Sequence, residues 1–321
     1  MDVPWYWAES FFYRRLLEAT RYFQPGPWRG YDPFGVKKQA ELAPDAGPHY
    51  IEQAAQGLPA GPRERFQTLM YTSLWGNRID LSQPEAVAWG PAKQGRSERD
   101  NLLVDDTESL WEYLTGRRRG RVAIVADNAG TELLTDLLVA DFLLTCGLAA
   151  QVVLHLKDHP FFVSDAMISD VSAAVAALGA GGDRTSELAG RIRGHLDGKR
   201  LRLMTHWFYT TSLFYFRLPR DLARELAAAD LVLFKGDANY RRLLGDAYWP
   251  PTTPFARATA YFPAPLGALR TLKAELIVGL GEGVAQRLQA EDPAWLVNGR
   301  RGVVQARPSR RKPKASGAGR R

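Results

Sequence analysis

The chain has 321 residues, 45% hydrophobic, 11% aromatic and 24% charged, with a net charge of +7, the proportions of a globular protein with an ample core. The most apolar stretch, Leu133 to Leu148, is broken by Asp136 and Asp141, short of the roughly 18 uninterrupted apolar residues a membrane span needs. A single cysteine, Cys146, excludes an internal disulfide framework and a cysteine-rich zinc site.

Met1 to Trp7 includes Asp2 and no basic cluster, unlike a secretory leader, so a cytoplasmic location is expected. Phe11, Phe12, Leu16 and Leu17 fall at helical spacing within Glu9 to Thr20, and Gln24 to Phe34 is broken by Pro25, Gly26, Pro27, Gly30 and Pro33. A second helix is expected over Pro62 to Trp75. Asp105 and Asp106 precede another helix as caps. From Arg121 strands and helices alternate. VAIVAD (122–127), QVVLHLK (151–157), LRLMTH (201–206), LVLFKG (231–236) and AELIVGL (274–280) read as strands. Helices are expected over Glu132 to Thr145, Ser169 to Leu178, Thr185 to Leu196 and Pro219 to Ala229, with Cys146 in the core. This order predicts a three-layer α/β/α fold with a mostly parallel central sheet and a helical N-terminal region. The divisions expected are 1–115 for that region, 116–298 for the α/β core and 299–321 for a disordered basic tail.

The charge is concentrated at that end. Nine of the 42 basic residues lie from Arg300 onward with no acidic residue among them, which leaves 33 Lys and Arg against 35 Asp and Glu in the body. Such a tail would bind polyanions weakly, and the body carries no nucleic-acid signature.

Ligands of a parallel sheet sit beyond the carboxyl ends of its strands, and three of those ends are acidic. Asp127 and Asn128 close the first strand, Asp165 follows the second and Asp237 follows LVLFKG. One Asp there is usually a cap or turn former; three together suggest a ligand set for a hard divalent cation, with Asn128 adding an amide oxygen. Glu132, early in its helix, could reach the same place or favour the helix N-terminus. Lys235, Asp237, Asn239, Tyr240 and Arg241 lie within seven positions and suit an anion, or form a surface turn. Arg270, Thr271 and Lys273 stand before the AELIVGL run, where a second cationic clamp could form. Trp75, Asn77, Arg78 and Asp80 in SLWGNRIDLS could roof the site or form a capped loop. His155 and His159 have helical zinc spacing, but Pro160 and the strand pattern argue against that use. GLGEG (279–283) imitates a nucleotide or methyl-donor loop, yet lacks the second strand–helix unit such a loop requires and reads as a helix entry.

In order, SLWGNRIDLS, LLVDDTESLW, VADNAGTELLTDLLVADFLL, HPFFVSDAM, LVLFKGDANYRRLLGDAYWPPTTPF and LRTLKAELIVGL resemble the damage-control phosphatase family. They are closest to its subfamily III, which carries an RTxK motif. The resemblance spans about residues 5 to 290. It implies a metal-dependent phosphatase acting on a small phosphorylated metabolite, with Asp127, Asn128 and Asp165 as metal ligands and catalytic centre. It further implies substrate contacts from Asp237, Asn239, Tyr240, Arg241 and Lys273, with Glu132 at a ligand-binding position. The metal implied is manganese first, then cobalt or nickel, with magnesium a further candidate, and the substrates are sugar phosphates such as fructose 1-phosphate and fructose 6-phosphate. Two alternatives stand beside it. One is methyl transfer from S-adenosylmethionine to protein carboxylates, suggested by the name of one relative, an acidic residue methyltransferase; the other is nucleic-acid binding through the tail.

Overall fold

Strand sequences that are apolar at every position must be covered on both faces, and the sheet observed is so covered. A computed structural model describes residues 3–76 and 100–308; Asn77, Arg78, Asp80 and the end of the basic tail lie outside the described residues. Four helices come first, α1 (Trp5–Ala19), α2 (Gly35–Ala40), α3 (Gly47–Gln56) and α4 (Pro62–Trp75), then β1 (Leu102–Asp105) and α5 (Thr107–Thr115). The alternating part runs β2 (Gly120–Val125), α6 (Thr131–Thr145), β3 (Ala149–Leu156), α7 (Ile168–Gly179), α8 (Asp183–Asp197), β4 (Leu201–Thr205), α9 (Arg220–Ala227), β5 (Leu231–Lys235) and α10 (Gly236–Leu244). It ends in α11 (Phe255–Ala258), β6 (Leu266–Thr271), α12 (Val284–Glu291) and β7 (Gly302–Arg307).

The seven strands lie in the order β1-β7-β6-β5-β2-β3-β4, with every pairing parallel except β6 with β7. This is the expected α/β architecture. Side chains alternate across it with the period of two that a pleated strand imposes: Val122, Ile124, Leu231 and Leu233 enter one core, Ala123, Val125, Val232 and Phe234 the other. The chain winds from β2 outward to β4, then recrosses to place β5 on the other side of β2. That reversal opens a crevice at the carboxyl ends of β2 and β5, the usual ligand position in such sheets.

Helix α6 is buried from Thr131 to Leu144, which a helix buries all round only where it is nearly all apolar. Its charged residues are paired accordingly. Asp141 meets Arg191 and His195, and Asp136 meets Ser73 and Lys235.

Several sequence expectations are corrected. AELIVGL is coil, buried at Leu276, Ile277, Val278 and Leu280; the strand is the preceding LGALRT, and Arg270 and Thr271 end it rather than precede it. Gly302 to Arg307 is no disordered tail but β7, wedged between β6 and β1, with Val303 and Val304 buried. Two tail arginines belong to the body: Arg301 pairs with Asp292, and Arg307 donates to the Phe262 and Ala264 carbonyls. Because β1 and β7 both join the sheet, the divisions at 115 and 298 cut through one layer. Asp106 does not cap α5 with its side chain, which accepts from Ala306 of β7, while Asp105 accepts from the Thr107 amide. Cys146 is exposed at the end of α6. No helix among the described residues is long and apolar enough to cross a membrane.

On β3, His155 is buried with its Nδ1 2.9 Å from the Tyr209 hydroxyl. Burial, helped by Arg121 and His206, lowers its pKa to about 4. An unfolded histidine titrates near 6.5, so between those values the unfolded chain takes up a proton that the folded chain refuses. The stability from neutral His155 is therefore complete above about pH 6.5 and drains away as pH falls toward 4, by about 3 kcal/mol. Urea unfolding at pH 7 and pH 4.5 should show a smaller acid loss in His155→Gln than in wild type. Equal losses in the two proteins would refute this account.

Candidate active site

The first wall is the turn after β2. Ala126 donates to the His155 carbonyl, Ala129 to the Ser164 carbonyl at 2.6 Å, and Ala166 to the Asp127 carbonyl at 2.9 Å. These bonds zip the 164–166 loop onto residues 126–129, and an isolated bridge pairs Asn128 with Asp165. The same loop carries Phe162 at φ +52°, uncommon for a bulky side chain, held edge-on by the rings of Tyr6 and Tyr13. Beneath it, Lys38 Nζ donates to the Asp165 carbonyl at 2.8 Å and pairs with Asp32 and Asp170.

Two glycines make the crevice close-walled. Gly130 (φ +65°) leads into α6, and a Cβ there would lie 2.1 Å from Glu41 Oε2, whose oxygen accepts the Thr131 amide. Gly236 (φ +79°) begins α10 against Asp127, where a Cβ would stand 1.8 Å from Oδ2. Both positions need positive φ and the missing side chain.

Asp127, Glu132 and Asp165 are buried together. Asn128 Nδ2 donates to Asp127 Oδ2 (3.1 Å) and Glu132 Oε2 (2.8 Å), while Ser164 Oγ donates to Asn128 Oδ1 (2.6 Å). Burial, then repulsion by Glu132 and Asp165, pushes the Asp127 carboxyl well above the usual range. Burial likewise raises Asp165, against the pull of Lys157. Asp127 Oδ1 is buried with no hydrogen-bond partner, while Asp165 Oδ2 is paired with Lys157 Nζ at 2.9 Å. Unpaired buried carboxylate oxygens are costly. Asp127 Oδ1 in that state, with the Asp165 carboxylate and an amide oxygen beside it, matches the donor set of a hard divalent cation with room for water. The set holds two carboxylates and an amide; among the described residues no group of three His, Cys, Asp or Glu side chains is placed to hold a metal ion.

The second wall comes from β5 and β6. Asp237, half-buried, accepts from Arg270 Nε at 2.7 Å and from the Lys273 amide at 3.2 Å. Lys273 is exposed beside a cleft of about 510 Å³ whose lining includes Trp5, Glu9, Arg241, Asp246 and Tyr248.

A domain model described as the damage-control phosphatase ARMT1-like domain matches residues 2–288. The chain belongs to that family. Damage-control phosphatase ARMT1 of Mus musculus is 36% identical over 329 residues, spanning 94% of this chain and 74% of that protein. Its Homo sapiens counterpart is 33% identical over 332 residues, with the same coverage. Among solved structures, a DUF89 family protein from Pyrococcus horikoshii superposes with a TM-score of 0.57 at 16% identity, over 96% of this chain and 84% of that one, a likeness of fold. The chain is accordingly a phosphatase of the damage-control class.

The structure brings together Asp127, Asn128, Glu132 and Asp165, with Asp237 next to the Gly236 that abuts Asp127 and the Lys273 ammonium near enough to attract the Asp127 charge. It turns other candidates away from a ligand. Arg270, 0% exposed, spends its guanidinium on Asp237 and the carbonyls of Ala274 and Leu276, 4.4 Å over the Tyr240 ring. Tyr240 is fully buried and donates to Gln305. Asn239 is buried too, donating to the Ala126 and Lys235 carbonyls and accepting from Tyr215. Lys235 points beneath the site, toward Asp136, Glu132 and the Ser73 carbonyl. Arg241 lines the cleft but is held by Asp246 and Glu9. The residues missed by sequence reasoning are Lys157, Ser164, Lys38 and Glu9. Lys157 ends a strand, so the rule that found Asp127 could have found it; Lys38 and Glu9 arrive from the N-terminal helices with no local signal.

Proposed function

We propose that this phosphatase hydrolyses phosphate monoesters of small sugars, fructose 1-phosphate and fructose 6-phosphate being the first candidates. In this reading a divalent cation is held by Asp127, Asn128 and Asp165, with manganese first and cobalt, nickel or magnesium as alternatives. The observation that carries it is Asp127 Oδ1, buried and unpartnered just beyond the carboxyl end of β2, next to the Asn128–Asp165 bridge. When bound, such an ion supplies positive charge to a phosphoryl oxygen and makes water a better nucleophile. Lys273 offsets remaining charge on the phosphate. Asp237, oriented through one oxygen by Arg270, orients a sugar hydroxyl or the attacking water with the other. Glu132 has both oxygens engaged, by Asn128 and Lys235, and so is not free to serve as the base. The cleft beside Lys273 is large enough for a hexose and has a polar lining that includes Glu9, Glu275 and Tyr248, although Asp127, Asn128 and Asp165 are not among its lining residues.

Phosphate release from fructose 1-phosphate, fructose 6-phosphate and p-nitrophenyl phosphate is the test, with EDTA and with added manganese. Release should stop in EDTA, return with manganese and favour the hexose esters. Full turnover in EDTA would overturn the metal reading, and silence on every sugar phosphate would overturn the substrate class.

A further inference from the structure

An ammonium group with three donors and three buried acceptors has no capacity left for a ligand. Lys235 is in that position. Its Nζ lies 2.7 Å from Asp136 Oδ1, 3.2 Å from Glu132 Oε1 and 2.9 Å from the Ser73 carbonyl, and Ser73 Oγ donates to the same Asp136 oxygen at 2.8 Å. All four residues are buried. Burial pulls the lysine pKa down, but Asp136 and Glu132 more than offset it and hold the group charged.

The cluster bears on the site through one side chain. Glu132 uses Oε1 for Lys235 and Oε2 for Asn128 Nδ2. An asparagine amide has two unlike ends, and its oxygen end alone can bind a cation. Glu132 and Asp127 both take the NH₂ end of Asn128, which leaves Oδ1 on the side of Ser164. A carboxylate holds an amide in one orientation only while it is itself held, and partners behind the direct ligands commonly set metal affinity in this way.

We propose that Lys235, braced by Asp136 and Ser73, is a positioning residue that fixes Glu132 and, through it, the orientation in which Asn128 presents its oxygen. The proposal rests on the metal reading above. It removes Lys235 from the substrate contacts, and it ties the end of α4 to the site, since the Ser73 carbonyl is part of the brace.

Lys235→Met alone would strand two buried carboxylates and endanger folding, so the informative variant is the charge-balanced pair Lys235→Met/Asp136→Leu. The measurements are calorimetric titration of manganese into metal-free protein, the melting temperature, and kcat and KM for a hexose phosphate at saturating manganese. The double variant should remain folded, bind manganese about ten-fold or more weakly and keep KM within about two-fold of wild type. Glu132→Gln supplies a second, nearly isosteric variant. With its oxygen toward Lys235, the replacement glutamine turns an NH₂ toward the NH₂ of Asn128 and favours the flipped amide, so manganese affinity should fall similarly.

Unchanged manganese affinity in either folded variant overturns the proposal. So does a raised KM with unchanged affinity, the signature of a substrate contact. If wild type binds none of manganese, cobalt, nickel or magnesium, the metal reading itself fails and this inference falls with it, an outcome separate from the other two.

Discussion

Asp127→Ala is expected to lower phosphate release by about 10³-fold, the scale set by removing a group that organises charge at the reacting centre, without unfolding the protein. The carboxylate is buried, its Oδ1 has no partner, and Glu132 and Asp165 repel it. Its removal therefore relieves an electrostatic cost while losing one 3.1 Å hydrogen bond from Asn128. In metal-free buffer the melting temperature should stay level or rise. Added manganese should raise the melting temperature of wild type by mass action on the folded state and leave that of the variant unmoved. Activity retained by the variant at saturating manganese would remove Asp127 from the ligand set.

The largest loss of stability is expected from Arg270→Met. Its guanidinium, shielded from solvent, joins β6, the Ala274 and Leu276 carbonyls and Asp237. Breaking a buried pair by removing one partner leaves an uncompensated charge and costs about 3–5 kcal/mol, a large part of the 5–15 kcal/mol that holds a typical domain together. Urea unfolding should register that loss. Arg270→Lys should recover little, because a point charge cannot reproduce the fork that reaches three acceptors. Activity should fall as well, since Asp237 accepts the Lys273 amide and that geometry would relax. Wild-type stability in Arg270→Met would refute the clamp.

How much of this was legible in the sequence depended on burial. Strands β2, β3 and β5 are apolar at nearly every position because helices cover both faces, so their ends, and with them Asp127, Asn128, Asp165 and Asp237, could be located from the pattern. Strand β6 hid behind Gly267 and Arg270, a glycine and a charge that read as loop, while the apolar AELIVGL was coil buried by packing rather than by pairing. Strand β7 hid in a basic context, although its Gln305 is fully buried between Tyr240 and the Val278 carbonyl. Local composition cannot separate such residues from solvated ones, since their partners lie far along the chain. The same limit applied to Tyr240, Asn239 and Arg270, polar residues near a site by number whose hydrogen bonds are spent on the scaffold.

The place of β7 between β1 and β6 also has a bearing on how the protein is made. β1 starts at Leu102 and its neighbour at Gly302, so roughly two hundred residues must be added before the two strands can meet, which at ribosomal speed takes about 10–40 s. Until then β1 has no partner in the sheet, and once β6 is complete at Thr271 its free edge waits about thirty further residues for Gly302, the kind of edge that recruits neighbouring chains. The strand that joins β1 to the rest of the sheet is thus also the last of the seven to be made.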